Sequence, residues 1–197
     1  SKEIIEFVGD GSKWGLNISI SEEEQVLETA GGIRQAIKYL GDEPFAVVLA
    51  DDLCDCDDDG VISQLIEIYN QYQCSVIAIE EVPMNQTHKY GIIAGNLIDN
   101  SDDTYRVTDM VEKPEEESTP SNMAIIGRYI LTPDVFNILK NIEPDKNGEI
   151  QITDALLVQA KQSKVIAYKF KGRRFDCGGI EGYIQATNYF AKKQGVI

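Results

Sequence analysis

Positive charge is scarce in this chain: 18 Lys and Arg stand against 33 Asp and Glu, a formal net charge of −15. That balance excludes a general nucleic-acid binder, which needs a surplus of cations for phosphate contacts. It leaves room for a small phosphorylated ligand held through a metal ion, since acidic side chains bind the metal and the metal supplies the positive charge. No apolar run approaches a membrane span, and the first residues show no signal-peptide pattern, so the expected location is the cytoplasm, with no membrane partner. The cysteines number four, and Cys54, Cys56, Cys74 and Cys177 lack zinc or redox spacing; they read as small residues of a reducing compartment. A phosphate loop is missing too. "GDGSKWG" has its glycines at 9, 11 and 15 and precedes a strand-like stretch rather than a helix, so it reads as a turn.

Acidic residues are plentiful, and one cluster imitates a calcium loop. "DCDDDGVISQLIE" puts Asp55, Asp57 and Asp59 at positions 1, 3 and 5, with Gly60 at 6. The bidentate carboxylate of position 12 is absent, because Ile66 stands there and Glu67 comes one residue late. The preceding "PFAVVLADD" also reads as a buried strand, whereas an EF-hand loop follows a helix.

The first half alternates strand and helix patterns. "KEIIEFV" reads as the end of a helix and "GLNISIS" as a strand; "TAGGIRQAIKYL" places Ile33, Ala36, Ile37 and Leu40 on one helical face. "PFAVVLA" is apolar enough for a parallel strand buried on both faces, "GVISQLIEIYNQY" has a helix period, and "CSVIAIEE" is the next strand. This order predicts an α/β fold: a Rossmann-like mixed, mainly parallel sheet flanked by helices. Asp51 and Asp52 then leave the carboxyl end of a central strand, where such sheets bind ligands, and Asp57, Asp58 and Asp59 cap the next helix. The second half adds a small hairpin subregion in "KYGIIAGNLIDNSDDTYRVTDMVEKP" and a strand in "NMAIIGRYILT". A helix follows to about Lys140, then a polar loop "EPDKNGE", a helix in "IQITDALLVQAKQ", and a strand in "VIAYKF". A short element, "RRFDCGG", precedes the last helix, from about Ile180 to Lys193.

From about Gly41 onward, the ordered stretches "GDEPFAVVLADD", "SVIAIEEVP", "KYGII", "VTDMVEKP", "SNMAIIGRYILTP", "GEIQITDAL" and "RRFDCGG" resemble bacterial glucose-1-phosphate uridylyltransferases. Those enzymes make UDP-glucose from UTP and glucose 1-phosphate. The resemblance implies a fold of the nucleotide-diphospho-sugar transferase type, UTP or a UDP-sugar and a hexose 1-phosphate as ligands, and a homo-oligomer. Earlier in the chain, "LETAGGI" is closer to related enzymes for other sugar 1-phosphates, with Glu28 where the uridylyltransferase pattern has glycine. That segment touches the nucleotide base in the family, which implies a base contact for Gly31 and Gly32. Two alternatives follow, a related transferase with another sugar or base, and a non-catalytic nucleotide-sugar-binding fragment. Enzymes of this kind open with a G-x-G-x-R loop that residues 1–41 do not supply. The expectation is a single nucleotidyltransferase domain over 1–197, N-terminally incomplete and inactive on its own.

In the family reaction a sugar-phosphate oxygen attacks the α-phosphorus of the nucleotide and pyrophosphate leaves. Two anions must meet, which calls for a divalent cation and a positive side chain. By resemblance Asp51 and Asp176 bind Mg²⁺, a hard cation that suits oxygen ligands, and Asp52 contacts the nucleotide. Glu112 and Lys113 of "VEKP" match the sugar site: Glu112 accepts from sugar hydroxyls, and Lys113 neutralises the sugar phosphate as a point charge. Strand alternation would send that pair to opposite faces unless the chain bends at Pro114. Gly91 matches the glycine whose backbone approaches the sugar, and it also suits a hairpin. Glu149 and Gln151 read either as pocket-edge residues or as helix caps. His88, the lone histidine, is expected at the surface, because an ionised phosphate needs no general base.

Overall fold

The computed structural model describes residues 2–22, 28–144 and 148–197, so residues 145–147 of the predicted polar loop lie outside the described residues. Among the described residues, eight strands and six α-helices follow one another. In order they are α1 (Lys2–Val8), α2 (Glu28–Ala36), β1 (Phe45–Val48), β2 (Asp52–Asp55), α3 (Val61–Tyr72), β3 (Ser75–Glu81), β4 (Gly91–Leu97) and β5 (Thr104–Glu112). Then come β6 (Met123–Leu131), α4 (Val135–Asn141), α5 (Ile152–Lys161), β7 (Val165–Lys169), β8 (Arg173–Asp176) and α6 (Ile180–Lys193).

Six strands make one sheet in the order β1-β6-β3-β7-β5-β4, and β2 with β8 forms a separate ribbon. Alternation along β3 explains the layers. Ile77 and Ile79 face one core, with Ile33 of α2, Phe136 and Leu139 of α4 and Leu156 of α5. Val76 and Ala78 face the other, with Val61 and Leu65 of α3 and Ile166 of β7. Both faces of this strand are therefore covered by helices, as its unbroken apolar run requires.

The sheet is mixed, as the sequence predicts, but among the described residues only β3 and β7 pair in parallel. Strands β1 and β3 do run the same way. Strand β6 lies between them and is antiparallel to both, because the chain returns from the β4–β5 hairpin in the opposite sense. Strand β1 is correspondingly an edge among the described residues. Its exposure alternates and Val48 is 55% exposed, so it is not buried on both faces as its composition suggests. The expected strand in "GLNISIS" is absent: residues 16–22 carry no regular structure, and Leu16 and Ile20 are exposed. Apolar alternation without a neighbouring strand to pair is not sufficient. No helix among the described residues is long and apolar enough to cross a membrane.

Strand β6 has two hydrogen-bonding edges. Strand β3 takes one; the other carries β1 along residues 128–131 and the start of β4 at Ala124. Between those two partners no strand pairs with β6 at Gly127; the chain leaving β1 turns into β2 there, with the Leu49 N–H donating to the Gly127 carbonyl at 2.9 Å and the Gly127 N–H donating to Asp52 Oδ2 at 2.7 Å. This gap positions the site.

Candidate active site

A cavity of about 310 Å³ fills the gap, lined by Asp51 and Asp52 after β1, Tyr90 and Gly91 at the start of β4, and Glu112 and Lys113 at the end of β5. Gly127 and Tyr129 of β6, Gln151 and Thr153 at the head of α5, and Arg174 and Asp176 of β8 close it. Most residues singled out from the sequence thus converge, although they come from five separate strand ends and a helix start. Three do not line it. Gly32 is exposed with open space around it, Gly31 is buried in α2, and Glu149 accepts a 3.0 Å hydrogen bond from Gln151 at the rim. Gln151 sits at the N-cap position of α5 without a side-chain cap bond. His88 is exposed in a 3-10 turn.

The β2–β8 ribbon, unforeseen in the sequence, brings the acidic residues together. Asp52 pairs directly with Asp176, and the Cys177 N–H donates to the Asp51 carbonyl at 2.8 Å. A β-carbon placed on Gly178 would stand 3.2 Å from Asp176 Oδ1 and 3.3 Å from Asp51 Oδ2, so both carboxylates face one small space. Two hard oxygen donors at one point suit a divalent cation. Among the described residues no three candidate metal ligands group together. Phosphate oxygens and water would have to complete a shell built on this pair.

Asp52, expected to contact the nucleotide, lines the cavity but is held within the protein. It is 5% exposed, and each of its oxygens is engaged inside the protein. Oδ1 accepts from Arg174 Nε at 2.5 Å, and Oδ2 accepts from the Gly127 N–H at 2.7 Å. Arg128 holds the same corner by donating to the carbonyls of Leu49 (2.9 Å) and Asp52. Arg174, Tyr90, Arg128 and Thr153 escaped sequence reasoning. The first had a usable signal, since Arg174 and Asp176 are two apart in a strand and share a face.

The Glu112–Lys113 corner resolves the alternation problem. Lys113 adopts a left-handed backbone conformation with φ 45°, and its N–H donates to the Tyr90 carbonyl at 3.0 Å. That departure from strand geometry brings Lys113 Nζ to 3.7 Å from Glu112 Oε1, both on the cavity. A non-glycine residue held at positive φ costs on the order of 1 kcal/mol, which the surrounding structure must offset. The Thr153 hydroxyl donates to Glu112 Oε2 at 3.2 Å. Burial pushes the Glu112 carboxyl above its ordinary value, against the pull of Lys113. Burial likewise raises the Tyr90 hydroxyl, which stays a donor. Gly91 is enclosed: a β-carbon there would lie 2.8 Å from the Thr153 methyl and 3.0 Å from Glu112 Oε2.

The calcium-like cluster is not part of this site. Asp55 is engaged by the Tyr189 hydroxyl at 2.7 Å and Lys193 Nζ at 2.6 Å. Nor do Asp57–Asp59 cap α3, whose N-cap is Gly60 with no side-chain cap bond. The turn places Gly60, rather than an aspartate, at the cap position.

The sequence model of nucleotidyl transferases matches residues 1–193. The chain belongs to the nucleotidyl transferase family. Members of this family generally act with a divalent metal, which agrees with the donor pair of Asp51 and Asp176. The chain is 62% identical over 151 residues to the UTP–glucose-1-phosphate uridylyltransferase of Pseudomonas aeruginosa strain PAO1, covering 76% of this chain. It spans 53% of that relative's length. Its fold matches a crystal structure of UDP-glucose pyrophosphorylase complexed with UDP-glucose at TM-score 0.84 and 50% identity, over 89% of this chain and 66% of the other. An apo UDP-glucose pyrophosphorylase matches at TM-score 0.87 and 45% identity, over 98% of this chain and 75% of the other.

Proposed function

We propose that this nucleotidyl transferase chain serves the transfer of a uridylyl group from UTP to glucose 1-phosphate, giving UDP-glucose and pyrophosphate with Mg²⁺. One observation carries the reading: the paired carboxylates of Asp51 and Asp176 open onto the same cavity as the Glu112–Lys113 corner. The names of the similar uridylyltransferase and pyrophosphorylases supply the substrates. A cytoplasmic setting and self-association are proposed with it.

In this reading a phosphate oxygen of glucose 1-phosphate forms the new bond to the α-phosphorus of UTP, while the bond to pyrophosphate breaks. Lys113 places a cation beside the sugar phosphate, and Glu112, steadied by Thr153, accepts from a sugar hydroxyl. Gly91 lets the backbone approach the sugar. Asp51 and Asp176 would hold Mg²⁺, which when bound draws negative charge from the phosphate oxygens. The attacking phosphate is already ionised, so no side chain has to remove a proton.

Calorimetric titration of UDP-glucose into the chain, with and without Mg²⁺, tests the reading. Asp51→Asn should weaken the Mg²⁺-supported affinity about 10-fold or more and leave the metal-free affinity unchanged. Equal losses with and without the ion would remove Asp51 from the metal site.

A further inference from the structure

We propose that Arg174 and Tyr90 are positioning residues that fix the orientation of the Asp176 carboxylate, holding one oxygen so that the other turns toward Asp51. The inference rests on the metal reading of that aspartate pair. Arg174 lines the cavity, yet its side chain is 6% exposed and its guanidinium is spent on protein carboxylates. Nε meets Asp52 Oδ1 at 2.5 Å, Nη1 meets Glu80 Oε1 at 2.6 Å, and Nη2 stands 3.4 Å from Asp176 Oδ2. The Tyr90 ring lies against this guanidinium, 5.0 Å from its centre, and the hydroxyl donates to the same Asp176 Oδ2 at 2.8 Å.

Oδ2 of Asp176 therefore has a hydroxyl donor and a cation on it. Oδ1 accepts one backbone bond, from the Gly178 N–H at 3.1 Å, and is the oxygen that shares a space with Asp51 Oδ2. A carboxylate left to itself rotates freely about its last torsion, which is broad and two-fold. The hydroxyl bond and the ion pair remove that freedom. The planar fork also explains why arginine stands here: a lysine ammonium could not engage Asp52, Glu80 and Asp176 in fixed directions at once. Asp52, anchored by the Gly127 N–H, keeps the guanidinium in register. The chain of support runs from the edge of β6 to Asp52, to Arg174, to Asp176.

The test is direct Mn²⁺ binding by electron paramagnetic resonance on the full chain, Mn²⁺ standing in for Mg²⁺ at an oxygen site. Tyr90→Phe keeps the ring over Arg174 and deletes only the hydroxyl. It should weaken Mn²⁺ binding about 10-fold, the scale for loss of a group that orients a metal ligand. Its melting temperature and far-ultraviolet circular dichroism should stay close to the parent values. Arg174→Lys, which keeps the charge and loses the fork, should weaken Mn²⁺ binding at least as much. Asp176→Asn separates the inference from its premise. If Asp176→Asn loses the ion while Tyr90→Phe binds it like the parent, the positioning role is overturned and the metal site stands. If Asp176→Asn binds Mn²⁺ like the parent, the metal site itself is wrong and the inference goes with it. A Tyr90→Phe protein whose melting temperature falls together with its Mn²⁺ affinity would show general damage and also overturn the role.

Discussion

Replacing Gly182 by alanine probes how far the candidate metal site depends on packing behind it. Gly182 lies in the first turn of α6, and a β-carbon there would fall 1.8 Å from the Asp176 carbonyl oxygen and 2.7 Å from its carbon. Both neighbours are backbone, so no side chain can swing away. The helix and the end of β8 would have to separate by more than about 1 Å to restore an ordinary contact. The expected loss is about 3 kcal/mol, the upper end of overpacking costs, or ~6–12 °C in melting temperature for a domain of this size. The displaced atom belongs to Asp176, so Mn²⁺ affinity should fall as well; misplacement by about 1 Å can cost ~100-fold in a catalytic setting. Thermal unfolding followed by circular dichroism and the Mn²⁺ titration read the two effects on one sample. A Gly182→Ala protein that melts within ~2 °C of the parent and binds Mn²⁺ equally well would refute the packing argument.

Two further outcomes test other parts of the molecule. Glu112→Gln concerns pH. Because burial raises the folded-state value of Glu112, the native chain keeps that proton to higher pH than the unfolded chain, and stability falls as pH rises through the window above the ordinary 4.5. The variant should lose this fall, so melting curves of parent and variant, recorded from about pH 4 to about pH 8, should diverge in the variant's favour with rising pH; parallel curves would contradict the burial effect. Gly32→Ala places a good helix former at an open, exposed position of α2. It should raise the melting temperature by ~2–4 °C, from about 1 kcal/mol of helix propensity, and leave UDP-glucose affinity unchanged; a drop in affinity would support the base contact at Gly32.

Elements with strong local patterns were legible in the sequence. The β4–β5 hairpin, the helix period of α3 and the apolar run of β3 each carry their own signal, and the ends of α6 fall at the expected residues. Pairing was less legible, because the insertion of β6 between β1 and β3 depends on contacts far apart in the chain. A local apolar pattern also cannot show whether a partner strand exists, which is why "GLNISIS" carries a strand pattern and forms no strand. At the site, Asp51, Glu112, Lys113 and Asp176 stood out through the resemblance of their motifs to the family's. The supporting groups did not, since nothing in "KYGII" says that the Tyr90 hydroxyl reaches Asp176. The left-handed turn at Lys113 was foreseen only as a need for the chain to bend.

The ribbon of β2 and β8 has a consequence for how the molecule forms. It joins residues 51–55 to residues 173–177, so Asp51 and Asp176 become neighbours only after a loop of more than 100 residues has closed. Closing a flexible loop of that size costs roughly 4 kcal/mol in chain entropy. Contacts of such sequence separation form late and slowly in folding. An ion shared by the two carboxylates would act as a reversible cross-link across that loop, adding ~2.7 kcal/mol when present at 100 times its dissociation constant. The last part of the chain to assemble would then also be the part that its own ligand fastens.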